Sequence, residues 1–293
     1  MAARNTTMSS RGTLWLRRCA RNIAAALIFV GLAATACASA STLDASGLDA
    51  GYRAMYNLQF DAAHAVFADW QRNHPDDPLA AVSDAAAYLF SEFNRLHILE
   101  LEFFTDDKNF EGRNELQPDP AVRQRFFTQL ERAQQIIAAR LARNAGDKDA
   151  LFARVLALGL RGDYEALIEK KNMAGLSDIK QGRSIAQQLL TLCPDCNDAY
   201  LAVGVENYLL SLKPAPVRWF LHMTGAQTDK ETGLANLRRV ADNGHYLQPY
   251  ARLLLAVAAL RDHDTGSARA LLSGLAQEFP ANSLYTRELA KLK

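Results

Sequence analysis

One pattern recurs along this chain, and it fixes the fold class. In LDAGYRAMYNLQFDAAHAVFADWQRNHPDDP a small residue, Gly51, sits in a first segment of helical period. An aromatic, Phe60, opens a second segment, Ala63 and Phe67 follow at helical spacing, and Pro75 closes it. Apolar residues at that spacing make an amphipathic helix. The small residue lets two helices approach closely, the aromatics fill the space beside it, and proline stops the second helix. DALFARVLALGLRGDYEAL repeats the first helix and the turn, with Tyr164 in the aromatic slot. NDAYLAVGVENYLLSL gives another first helix, with Tyr200 and Gly204 as the large and small residues. PYARLLLAVAALRDHDTGSARALLSGLAQEFP is a full unit, with Ala256 and Ala268 small, Leu272 in the aromatic slot and Pro280 last. A weaker unit fits Leu79–Arg143, and NSLYTRELAKLK reads as a terminal helix.

Helix pairs of about 34 residues in this register resemble the tetratricopeptide repeat. The resemblance covers roughly residues 44–290, and the layout is similar to exported bacterial repeat proteins of this family. It implies an all-α solenoid of about five helix pairs, with insertions and a C-terminal capping helix whose outer face is polar. Three segments depart from the pattern: Glu100–Pro120, Glu169–Gly182 and Lys213–Asp229. The resemblance also implies a concave groove lined by the first helices. Its candidate residues are Tyr52, Met55, Asn57, Phe152, Arg154, Leu201, Glu206, Tyr208 and Tyr250. The charged clamp by which some relatives hold a peptide carboxylate is not found here.

The N-terminus sets the compartment. Arg4, Arg11, Arg17, Arg18 and Arg21 precede the apolar run Ile23–Ala40, which ends on Ala38-Ser39-Ala40. That is the layout of a secretory signal peptide spanning 1–40, with the repeat domain at 44–293. Two other outcomes stay open: a lipid on Cys37, or an uncleaved anchor. Either way the protein is expected to be exported, periplasmic or on the outer side of the inner membrane. Membrane contact is expected only through that segment. Taking those five arginines from the 33 basic residues leaves 28 against 32 acidic, a net of −4. A mildly acidic body without basic clusters is not expected to bind nucleic acid.

Outside the leader the cysteines are Cys193 and Cys196, in LCPDCNDAYLAVG. They flank the terminating Pro194, at the seam where one unit ends and the next begins. Export favours a local disulfide. Two free thiols or redox chemistry remain alternatives, although a thioredoxin-type cysteine belongs at a helix N-terminus. No second C-x-x-C or H-x3-H completes a zinc site. Asp107–Glu115 echoes a calcium loop, but Pro118 stands where the bidentate Glu belongs. The six histidines fit structural or surface roles, and no nucleophile elbow, P-loop or dinucleotide fingerprint exists.

The expectation is therefore an exported, non-enzymatic scaffold, without cofactor or metal, that binds a protein or peptide partner through its groove. One alternative is a lipoprotein-like envelope-assembly factor using an exposed patch at Trp219, Phe220 and Leu221 in the Lys213–Asp229 insertion. The other is a thiol–disulfide oxidoreductase working through the C-x-x-C pair.

Overall fold

The computed structural model describes residues 45–105, 116–212 and 228–292, and among these every regular element is helical. The leader, the calcium-like loop and the insertion carrying Trp219, Phe220 and Leu221 lie outside the described residues. Gly47–Lys293 forms one compact unit. Twelve α-helices are described. They are α1 (Ala45–Tyr56), α2 (Phe60–Asn73), α3 (Pro78–Arg95), the short α4 (Leu101–Thr105), α5 (Pro120–Arg143) and α6 (Lys148–Asp163). Then come α7 (Asn172–Leu192), α8 (Tyr200–Ser211), α9 (Lys230–Asn243), α10 (Gln248–Arg261), α11 (Thr265–Glu278) and α12 (Ser283–Lys291). A π-turn, Tyr164–Ile168, extends α6, and a 3-10 turn, Asn197–Ala199, leads into α8.

Local chemistry explains where the helices start. Asp77, Asp119, Asp147, Asp229, Asp264 and Asn282 each accept a backbone N–H of the first turn of α3, α5, α6, α9, α11 and α12. Each cap satisfies a donor that the helix itself leaves unpaired and is worth about 1 kcal/mol. Pro78 and Pro120 occupy first-turn positions, where a missing N–H costs nothing.

Three helices end on the same turn. After α1, Gln59 N–H bonds to Ala54 O and Leu58 N–H to Met55 O. After α3 the pairs are Ile98 to Phe93 and His97 to Asn94, and after α10 they are Asp264 to Ala259 and His263 to Leu260. This is the Schellman geometry, and its pivot residue must be left-handed. Leu58, His97 and His263 have φ of 59°, 60° and 61°.

Helices pair antiparallel as α1/α2, α3/α5 across the short α4, α6/α7, α8/α9 and α10/α11. Small residues sit where the backbones cross. A Cβ on Gly51 would lie 2.3 Å from Phe67 Cε1, in a ring that is fully buried. Gly204 and Gly233 face each other across α8 and α9, each Cβ position 3.1 Å from the other's carbonyl oxygen.

The first and last hairpins pack on each other. One apolar cluster joins Leu48, Tyr52 and Met55 of α1 to Ala256 of α10, Leu272 and Leu275 of α11, and Tyr285 of α12. Polar bonds cross the same seam. Tyr56 Oη donates to Tyr246 O at 2.8 Å, Asn282 Nδ2 donates to Tyr56 O at 2.8 Å, and Ala281 N–H donates to Asn57 Oδ1 at 3.1 Å.

Two details differ from the sequence expectation. Tyr164 does not open the second helix of its unit. It continues α6 as the π-turn, is buried, and stacks on Phe126 at 5.0 Å, while the partner helix starts at Asn172. The terminal helix α12 is not simply an outer lid. Its Tyr285 is buried against α1 and its Leu284 sits in the cluster formed by α3 and α5. Both faces are used because the first and last described hairpins meet there.

Candidate functional site

The candidate groove residues separate into two groups. Tyr52 and Met55 are buried at the seam between the end hairpins. Tyr52 Oη accepts the Ser83 hydroxyl at 2.9 Å, and its ring stacks on Tyr246 at 4.5 Å. Asn57 is buried too, with its amide donating to Arg53 O and accepting from Ala281. These residues are buried where the first and last described hairpins meet. Tyr208 is buried between α9 and α10. Glu206 is fully buried in an ion pair with Arg183 at 2.6 Å. Burial pushes the Glu206 carboxyl up, and the Arg183 and Lys180 charges oppose that shift.

Phe152, Leu201 and Tyr250 are half-buried, and Arg154 is exposed. Phe152 and Leu201 flank one cluster, with Tyr246 and Leu255. Arg154 is two residues from Phe152, about 200° around α6, so it faces elsewhere. Tyr250 packs edge-on against Phe90 at 5.5 Å. The space where α10 meets α3 and α4 is lined by Phe93, Leu99, Leu101, Phe104, Tyr250, Leu253, Leu254 and Val257, and it amounts to only about 10 Å³. An apolar void of that size holds no ligand and at most one water. Just beyond it Asp163 ends α6. Burial raises its carboxyl to about 7; Tyr250 is held protonated first by its own burial and then by the Asp163 charge.

Among the described residues the exposed large apolar side chains are Met173 and Leu192 of α7 and Leu209 of α8. Helix α8, YLAVGVENYLLS, is apolar nearly all round, a composition that usually means complete burial. Yet Leu209 is 41 % exposed, and Leu201 and Val205 on the same face are half-buried.

Cys193 and Cys196 are joined by a disulfide. Cys193 caps the C-terminus of α7, where its N–H bonds to Leu189 O. Its thiolate would face the negative end of the helix dipole, the opposite of what an attacking cysteine needs. Arg239 clamps the turn, donating to Pro194 O at 2.7 Å and Asn197 Oδ1 at 2.9 Å while its guanidinium lies 3.9 Å from the Tyr200 ring centre. An open depression of about 570 Å³ borders this turn, lined by Asp195, Asn197, Arg238, Arg239, Asp242, Asn243 and Ala235. It lies outside the predicted groove.

Among the described residues no three His, Cys, Asp or Glu side chains are grouped to hold a metal ion. His64 has a defined partner that the sequence did not signal: Nδ1 meets Asp84 Oδ1 at 2.5 Å and the ring lies 3.9 Å from that of Tyr88. The seam between the end hairpins also left no local signal, because Asn57 and Asn282 look like ordinary turn residues. No protein-family model, curated protein or solved structure matches the chain.

Proposed function

We propose that this chain is an exported helical-repeat scaffold of the tetratricopeptide type, which binds a protein or peptide partner and performs no catalysis. Antiparallel hairpins crossing at glycine and alanine, and one Schellman turn used three times, support the repeat reading. The binding reading rests on α8, where Leu209 is 41 % exposed beside the half-buried Leu201 and Val205. A partner segment laid along Leu201, Val205 and Leu209 would bury the remaining apolar surface, with Phe152 flanking it. Asn57, Tyr52 and Met55 are the frame of this scaffold and take no part in contact with the partner.

A photo-crosslinker at position 209 identifies the partner segment, and titration with that synthetic segment measures affinity. Leu209→Asp should weaken binding about ten-fold or more, since a buried carboxylate costs over 1.4 kcal/mol, while Tm stays put. Unchanged affinity would remove α8 as the interface. Export is checked by the mass of the mature N-terminus, which should begin at Ser41. An insulin-reduction assay addresses the oxidoreductase alternative, and turnover lost in Cys193→Ser would replace the scaffold reading.

A further inference from the structure

The disulfide turn and the contact between the end hairpins are joined by one side chain. Asp198 follows Cys196 by two residues and is buried. Its carboxylate accepts the backbone N–H groups of His245 at 2.9 Å, Tyr246 at 2.9 Å and Leu247 at 3.3 Å, the residues that lead into α10. Burial pushes this carboxyl up, and the three N–H bonds pull it back. Tyr246 is in turn the residue whose carbonyl accepts the Tyr56 hydroxyl and whose ring stacks on Tyr52. Two residues therefore connect the Cys193–Cys196 turn to the seam.

The disulfide is reachable. Both cysteines are half-buried, Pro194 and Asp195 between them are exposed, and the depression of about 570 Å³ opens beside them. Its two sulfurs also differ. Cys193 is at a helix C-terminus. Cys196 precedes the continuous Asn197–Ser211 helical run, at the N-terminal end where a thiolate is stabilised.

We propose that this disulfide is a redox latch: a dithiol reductant opens it, and the freed turn loosens the seat of Asp198 and with it the contact between the first and last hairpins. This inference stands apart from the scaffold reading and its α8 face. In the chemical step, one thiolate of the dithiol attacks Cys193 Sγ. The Cys193–Cys196 bond breaks and Cys196 leaves as a thiolate facing the helix N-terminus. The second thiol of the reductant then attacks the mixed disulfide, and Cys193 is released. The reductant is oxidised to its own disulfide by two electrons, and its two protons end on Cys193 and Cys196. Loss of the short cross-link leaves the turn held by hydrogen bonds alone: those from Arg239, the Tyr200 hydroxyl bond to Pro194 O and the Cys196 N–H bond to Cys193 O.

Hydrogen exchange on the full chain, oxidised and after treatment with dithiothreitol, tests the latch, with thiol alkylation confirming reduction. Peptides containing His245–Leu247 and Ala281 should exchange at least about five-fold faster once reduced, while Phe126–Ile137 of α5 stays unchanged. A Cys193→Ser/Cys196→Ser variant should match the reduced protein and ignore the reductant. Asp198→Asn should lose the difference between the two redox states at Ala281. Equal exchange at 245–247 and 281 in confirmed oxidised and reduced protein would overturn the proposal. So would acceleration spread evenly over α5, or a redox response at Ala281 that survives in Asp198→Asn.

Discussion

Asn282→Ala should destabilise this protein far more than an ordinary helix-cap loss. Asn282 is only 3 % exposed and makes two contacts of different kinds. Its Oδ1 caps α12 by accepting Leu284 N–H at 3.0 Å, and its Nδ2 reaches across the seam to Tyr56 O at 2.8 Å. Losing the cap costs about 1 kcal/mol. Leaving a buried carbonyl without its donor costs about 1–3 kcal/mol more. The sum, about 2–4 kcal/mol, corresponds to a Tm drop of about 5–12 °C for a domain of this size. Asn282→Asp separates the two parts, because a carboxylate keeps the cap but cannot donate to Tyr56 O. Asn57 supplies the neighbouring cross-seam bond, accepting Ala281 N–H. A double-mutant cycle between Asn282→Ala and Asn57→Ala should therefore show a coupling of about 0.5–3 kcal/mol. Urea unfolding followed by circular dichroism reads all four proteins. A loss below about 1 kcal/mol for Asn282→Ala, or strict additivity with Asn57→Ala, would refute the argument that these amides lock the two ends together.

Three further outcomes follow from the packing and the buried charges. Gly51→Ala drives a methyl into the buried Phe67 ring, so it should cost about 1–3 kcal/mol in urea unfolding, and Phe67→Leu in the same chain should recover part of it. Asp163 has its folded pKa raised to about 7, so the stability it contributes is full below its unfolded value and is lost as pH rises through about 7. Urea midpoints should accordingly fall between pH 5 and pH 8 in the parent and stay flatter in Asp163→Asn, and parallel profiles would exclude Asp163 as the cause. Arg183→Met strands the buried Glu206 carboxylate and should cost about 3–5 kcal/mol, most of which returns in Arg183→Met/Glu206→Leu when measured by thermal unfolding.

The sequence by itself determined the elements. Helical periodicity, aspartate or asparagine before a first turn, and glycine or alanine at crossings are local or nearest-neighbour signals. The α1/α2 and α10/α11 hairpins each follow from about 30 residues, roughly the length of one repeat, whereas α3/α5, α6/α7 and α8/α9 are lengthened by the segments that depart from the pattern. The C-x-x-C turn was legible as a seam for the same reason. Tyr164 was misplaced because a π-turn differs from an α-turn by one residue of hydrogen-bond register, which side-chain spacing does not mark. The groove was read from the assumption that first-helix faces point into open space. Only the tertiary structure decided otherwise for Tyr52, Met55 and Asn57, because contact between residues about 200 positions apart leaves no signal in local periodicity. That long-range contact sets α1 against α10, α11 and α12, turns their apolar faces into a shared core, and leaves Leu209 of α8 exposed.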